Sequence, residues 1–246
     1  MEKIFIFDVD GTLTPSRLPM TEEFQKFFSI WSQLNKFYLV TGSDLPKLQE
    51  QMCFFDIEAE RIFTCCGNQM WIPNPSAPIQ SADLIYDNKF IVPKKLKKLL
   101  GTILSNSQYP HRYGNHIEDR GSMVNFSIVG RDCTQEQRDE YYKWDKENGE
   151  RKIIAQAVRE KFPDLDAVIG GQISIDIYPK GNDKSQVLEH IEKLHPTGKI
   201  IFIGDGIENG GNDYPLAELM DNMSGCDWYH TKGWKQTKQI LESLSD

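Results

Sequence analysis

Apolar and polar positions along this chain follow a few distinct rhythms. Lys3–Val9 is an almost unbroken apolar run, the pattern of a buried strand, and it ends in two acidic residues, Asp8 and Asp10. In TEEFQKFFSIWSQL (21–34) Phe24, Phe27, Phe28, Trp31 and Leu34 recur near helical spacing, and Thr21 stands where an N-cap belongs. KFYLVTGS (36–43) reads as a strand ending at Thr41-Gly42-Ser43, LPKLQEQM (45–52) as a helix, and RIFTCCG (61–67) as a short strand. Strands alternating with helices predict a parallel sheet with crossover helices.

The rhythm then changes. PNPSAPIQSA (73–82) is rich in Pro and Ser and reads as a linker. Beyond it the pattern predicts a helix over 93–105, an alternating strand SMVNFSIVG (122–130) and a helix from Thr134, where TQEQ forms a capping box. An amphipathic helix over about 150–162 and a second alternating strand, GGQISIDIYP (170–179), complete a stretch of α+β character. From Lys184 the first style returns, with a helix (184–194), a buried strand KIIFIGDG (199–206), the loop IENGGND and a closing helix. The expected architecture is a doubly wound α/β core, 1–81 and 183–246, interrupted by an α+β cap, 82–182.

Composition narrows the class. A formal charge of −8 argues against a general nucleic-acid partner, whose phosphates demand a basic surface. Five cysteines, none in a CxxC pair, predict a reducing compartment. Neither a membrane span nor a signal peptide is visible, so a cytoplasmic protein is expected, with no membrane partner. The five histidines share no metal spacing, and the lysines of KKLKK (94–98) read as the solvated face of a helix.

In a parallel sheet, ligands gather at the carboxyl ends of the strands. Three strands here end in groups suited to phosphate chemistry: Asp8 and Asp10, Thr41 and Ser43, and Asp205. Carboxylates brought together at one sheet edge repel unless a cation joins them. Mg²⁺, a hard ion that shares its ligands with phosphate, is the natural choice.

The residues DVDGTLT (8–14) match the first motif of the haloacid dehalogenase-like phosphotransferases. That resemblance implies Asp8 as a nucleophile that becomes an aspartyl-phosphate and Asp10 as general acid/base. It further implies Thr41 or Ser43 at the phosphoryl oxygens, Lys184 for charge, and Mg²⁺ at Asp8, Asp10 and Asp205. Four stretches, DVDGTLTPSR, DRGSMVNFSIVGRDCTQEQR, GGQISIDIYPKGNDK and GDGIENGGND, resemble the eukaryotic-type phosphomannomutases within that superfamily. Position by position, this implies that Arg17, Arg120, Arg131, Arg138, Ser174 and Asp176 hold a sugar phosphate. It also implies a hexose 1,6-bisphosphate activator and a homodimer through the cap.

The residues themselves make the same chemistry reasonable. Guanidinium groups grip phosphate bidentately. Ser174 and Asp176 alternate with Ile173, Ile175 and Ile177, which turns them away from the apolar face. Arg138 falls in the first turn of its helix, where a bound anion is welcome. Arg120 and Arg131 lie eleven residues apart. One unbroken strand would set them on opposite faces, unless Gly121 or Gly130 breaks it. The loop after Asp205 departs from the family pattern, with Gly206 and Ile207 in place of Lys and Thr. The expected activity interconverts hexose 6-phosphate and hexose 1-phosphate, mannose first. Its rivals are a sugar-phosphate phosphatase using the same aspartyl-phosphate and a non-catalytic sugar-phosphate binder.

Overall fold

A computed structural model describes residues 2–52, 59–74 and 82–244. Residues 75–81, most of the expected linker, lie outside the described residues, as does Cys53. The chain begins β1 (Lys3–Phe7), α1 (Glu22–Ser32), β2 (Lys36–Val40), α2 (Leu45–Gln51), β3 (Arg61–Thr64), β4 (Gln69–Ile72) and β5 (Asp83–Asp87). It continues α3 (Lys94–Asn106), β6 (Ile117–Asp119), β7 (Val124–Phe126), α4 (Gln135–Asn148), α5 (Glu150–Lys161), β8 (Leu165–Gly170) and β9 (Ser174–Pro179). It closes with α6 (Gln186–Leu194), β10 (Lys199–Gly204), α7 (Tyr214–Asp221), β11 (Cys226–His230) and α8 (Trp234–Leu244).

The larger sheet has the order β11-β10-β1-β2-β3-β4-β5. Its first five strands run parallel, and β4 and β5 join antiparallel at one edge. The alternation inside β1 explains why helices cover both faces. Phe5 and Phe7 pack with Phe24, Phe28 and Trp31 of α1 and Leu241 of α8. Ile4 and Ile6 pack with Val187, Leu188 and Ile191 of α6 and with Leu216, Ala217 and Met220 of α7. The fold is thus α/β and doubly wound. Because β5 belongs to this sheet, its hydrogen bonding reaches Asp87, past the 81/82 boundary expected from composition.

The smaller sheet, β6-β7-β9-β8, is antiparallel throughout. One face carries Val124, Phe126, Ala167, Ile175 and Ile177 against Leu96 and Leu100 of α3, Tyr141 of α4 and Ile154 and Val158 of α5. The opposite face is left with the alternate residues, Asn125, Ser174 and Asp176. The capping box at Thr134 forms: its hydroxyl accepts from Gln137 N–H, and the Gln137 side chain accepts from Thr134 N–H.

Two long strands expected from alternation are shorter. The run 122–130 is a strand only over Val124–Phe126, because Gly121 (φ 79°) and Gly130 (φ 92°) turn the chain at either side. The run 170–179 is a strand only from Ser174, since Gly170 already ends β8 and the next residues turn between β8 and β9. No helix among the described residues is long and apolar enough to cross a membrane.

Candidate active site

Asp8 follows the last residue of β1 and is held in register by its N–H on Ile203 of β10, at 3.0 Å. Its side chain is buried, and Lys184 Nζ donates to its Oδ1 at 2.6 Å. The same Nζ donates to Asp213 Oδ1, also at 2.6 Å. Burial works against the Lys184 ammonium, but Asp213 and Asp8 outweigh it and raise its pKa well above the usual lysine value. Burial pushes the Asp8 carboxyl up to about 7, with Lys184 pulling against it.

Asp205 follows β10 and stands beside them. Asp8, Asp205 and Asp213 each offer an oxygen within 4.8 Å of the others. Burial, then the charges of Asp8 and Asp213, lift the Asp205 carboxyl well above the ordinary range. Gly11 makes room for it: with φ at 81°, any Cβ there would collide with Asp205 Oδ2. The loop between Asp205 and Asp213 is folded by its own backbone, with Gly206 N–H donating to Asp213 Oδ2 at 2.8 Å and Asp213 N–H to Gly206 O at 3.2 Å.

Asp10 faces elsewhere. Its Oδ1 accepts from Arg17 N–H (2.7 Å) and Gln51 Nε2 (2.9 Å), and its Oδ2 accepts from Ser43 Oγ (3.3 Å). The carboxylate that completes the cluster is therefore Asp213, which sequence reasoning did not single out, and not the expected Asp10. Its signal lay in GDGIENGGND, whose last residue reaches back only because the glycine-rich loop folds on itself. Thr41 and Ser43 sit at the end of β2, with Thr41 Oγ1 accepting from Ser43 N–H at 3.0 Å. Of the departures from the family pattern, Gly206 donates to Asp213, and Ile207 is buried in the apolar cluster beneath α6 and α7.

The far wall is basic. Arg17, Arg120, Arg131 and Arg138 line one cavity together with Asp8, Asp10, Thr41, Ser43, Ser174, Asp176 and Asp205. Of the expected site residues, only Lys184 is absent from that wall, being sealed beneath Asp8. Arg120 and Arg131 do converge, because the breaks at Gly121 and Gly130 put both on the site side. Glu118 bridges them, paired with Arg120 and 3.6 Å from Arg131 Nη2. Arg131 Nη1 donates to Ser174 Oγ at 2.9 Å, while its Nε is buried without a hydrogen-bond partner among the described residues. Burial, then Arg17, brings the Arg131 pKa down to about 10, the mark of crowded guanidinium groups short of an anion. Arg138 is buried in the first turns of α4, where Nε donates to Gln172 at 3.4 Å.

Several contacts tie the two sheets around the cavity. Arg120 Nη1 donates to Gly42 O at 2.5 Å and Asn212 Nδ2 to Asp176 Oδ2 at 3.4 Å. Ile169 N–H of β8 donates to Gly210 O at 2.9 Å, inside the loop that joins Asp205 to Asp213.

The fold is that of the haloacid dehalogenase-like proteins. It resembles a haloacid dehalogenase-like hydrolase from Bacteroides thetaiotaomicron, with a TM-score of 0.57 at 15% identity over 99% of this chain and 100% of that one. The IMP-nucleotidase of Plasmodium falciparum is similar too, with a TM-score of 0.61 at 16% identity over 99% of this chain and 68% of that one. The family model described as eukaryotic phosphomannomutase matches residues 24–243. The phosphomannomutase of Saccharomyces cerevisiae is 36% identical over 220 residues, 87% of this chain and 85% of its own. That of Drosophila melanogaster is 34% identical over 248 aligned residues, 99% of this chain and 95% of its own. The chain belongs to the eukaryotic phosphomannomutase family.

Proposed function

We propose that this enzyme interconverts mannose 6-phosphate and mannose 1-phosphate through a phosphorylated Asp8 and a hexose 1,6-bisphosphate. The observation that carries the proposal is the opposition of an acidic cluster and four arginines across one cavity. A mutase must grip one phosphate of its substrate while the other reacts, and this cavity has separate equipment for each.

Phosphorylated Asp8 passes its phosphoryl group to the free hydroxyl of a bound hexose monophosphate. Asp10 takes the proton as the new P–O bond forms and the bond to Asp8 breaks. The resulting bisphosphate turns over. The Asp8 carboxylate then attacks the other phosphorus, and Asp10 returns the proton to the departing sugar oxygen. Thr41 and Ser43 offer hydroxyls to the phosphoryl oxygens. Lys184 holds Asp8 in place and favours its carboxylate form against the effect of burial. Arg17, Arg120, Arg131 and Arg138 clamp the distal phosphate, and Ser174 and Asp176 meet the sugar.

The acidic cluster fits Mg²⁺: three carboxylates crowd one lysine, and that of Asp205 accepts no hydrogen bond among the described residues. Asp8, Asp205 and Asp213 would hold the ion, whose charge offsets that of the phosphoryl oxygens when it is bound. Family membership supports a homodimer through the smaller-sheet domain, read by sedimentation, and a cytoplasmic setting.

The test follows mannose 1-phosphate by phosphorus NMR with Mg²⁺, with and without a trace of hexose 1,6-bisphosphate. Mannose 6-phosphate that grows only with the bisphosphate is the expected result. Release of inorganic phosphate without the 6-phosphate would make the protein a phosphatase instead.

A further inference from the structure

We propose that Asn125 is a specificity-determining residue whose side-chain carbonyl accepts a hydrogen bond from a hexose hydroxyl while its amide anchors Asp176. This rests on the phosphomannomutase reading and adds to it which group reads the sugar. Asn125 lies on β7 directly opposite Asp176 on β9 and is only 4% exposed. Its Nδ2 donates to Asp176 Oδ1 at 2.7 Å. A carboxylate only accepts, so its presence there fixes which end of the amide faces it. The other end, Oδ1, is buried with no hydrogen-bond partner among the described residues, although Asn125 lines the same cavity as Ser174 and the four arginines.

A buried carbonyl left unpaired is costly, and a ligand that supplies a donor removes the cost. The chemistry of that ligand is restricted. An amide oxygen cannot pair with an ionised phosphate, whose oxygens are acceptors too. A sugar hydroxyl, which donates, fits. Its neighbours agree. Asp176 also accepts, and Ser174 Oγ already accepts from Arg131, which leaves its own hydrogen to give. The floor of β7 and β9 is therefore a hydroxyl-reading surface, set apart from the guanidinium groups that take phosphate. Such a site rejects a sugar that lacks the hydroxyl, because its polar atoms are then left unpaired again.

Dissociation constants measured by calorimetry test this without reliance on turnover. The ligands are mannose 1-phosphate and its 2-, 3- and 4-deoxyfluoro analogues, in which fluorine replaces a hydroxyl and can no longer donate. Wild type is expected to lose about tenfold in affinity for one analogue. Asn125→Ala should lose about the same with mannose 1-phosphate and nothing further with that analogue. Asn125→Gln, which keeps both the donor for Asp176 and an acceptor oxygen, should retain the discrimination, and it serves should the alanine variant not fold. Loss by one common factor for every sugar, or a wild type indifferent to all three replacements, would overturn the assignment of Asn125 alone. A wild type that binds no mannose 1-phosphate would overturn the phosphomannomutase reading along with it.

Discussion

The two walls of the cavity follow opposite plans. The acidic wall stands on the carboxyl ends of parallel strands, where Asp8 and Asp205 follow β1 and β10 directly and Lys184 is tied to two carboxylates at 2.6 Å. The basic wall is assembled from turns, short strands and a helix start. Its guanidinium groups are paired sparsely, with Glu118 shared between two of them. One wall is set by regular backbone and strong internal pairing. The other is left short of anions and so completes itself with a ligand. On the proposed mechanism, the group that attacks is pre-positioned, and the groups that would release and regrip a turning bisphosphate are not tied up with each other.

Breaking the acidic wall gives the largest effects. Asp8→Asn should lower turnover on the order of 10⁴-fold or more, since on the proposed mechanism it replaces the attacking carboxylate by a neutral amide. Phosphorus NMR reads this directly, and activity within tenfold of wild type would mean that the nucleophile lies elsewhere. Lys184→Ala leaves buried carboxylates without their cation and should cost about 3–5 kcal/mol in urea unfolding. An unchanged midpoint would show that the pairing carries no stability.

The basic wall should answer in binding instead. Arg138→Ala is expected to reduce kcat/KM about 10- to 100-fold, the worth of charge-assisted hydrogen bonds. Its urea midpoint should move less than that of Lys184→Ala, because among the described residues its guanidinium forms no ion pair and its Nε reaches Gln172 at a long 3.4 Å. A large loss of stability with unchanged kinetics would reverse the contrast between the walls.

Counted per pH unit, the smallest effect concerns pH. The Asp8 carboxyl is raised from 3.8 to about 7 by burial, so between those values the native protein holds a proton that the unfolded chain has released. Stability of the metal-free protein should then fall as pH rises through that window, by at most about 1.4 kcal/mol per pH unit from this group. Mg²⁺ should flatten the dependence. Urea midpoints between pH 5 and 8, with and without the ion, would reveal a slope of the wrong sign at once.

The same division governed what could be read from the chain. β1, β2 and β10 are apolar runs that end in polar groups, and a parallel sheet brings such ends together whatever the loops do, so Asp8, Thr41, Ser43 and Asp205 were legible. Asp213 was not, because its approach to Lys184 depends on hydrogen bonds inside one loop. The arginines were legible mainly through resemblance, since Arg120 and Arg131 converge by way of Gly121 and Gly130. Weak alternation hid β6, and the half-buried CDWYH of β11 lacks the apolar run that marked its neighbours. Asn125 looked like one more polar position in an alternating strand. Only the register with Asp176 distinguishes it.

The contact between Ile169 and Gly210 joins two parts of the chain that sequence separates by forty residues. Gly210 belongs to the short arc suspended between Asp205 and Asp213, so a pull on it is felt at both ends. Any swing of the smaller sheet away from the larger one must snap this tether. Opening the cavity along that path would therefore slacken the arc that carries the acidic cluster in the same stroke, and shutting it would draw the arc taut again.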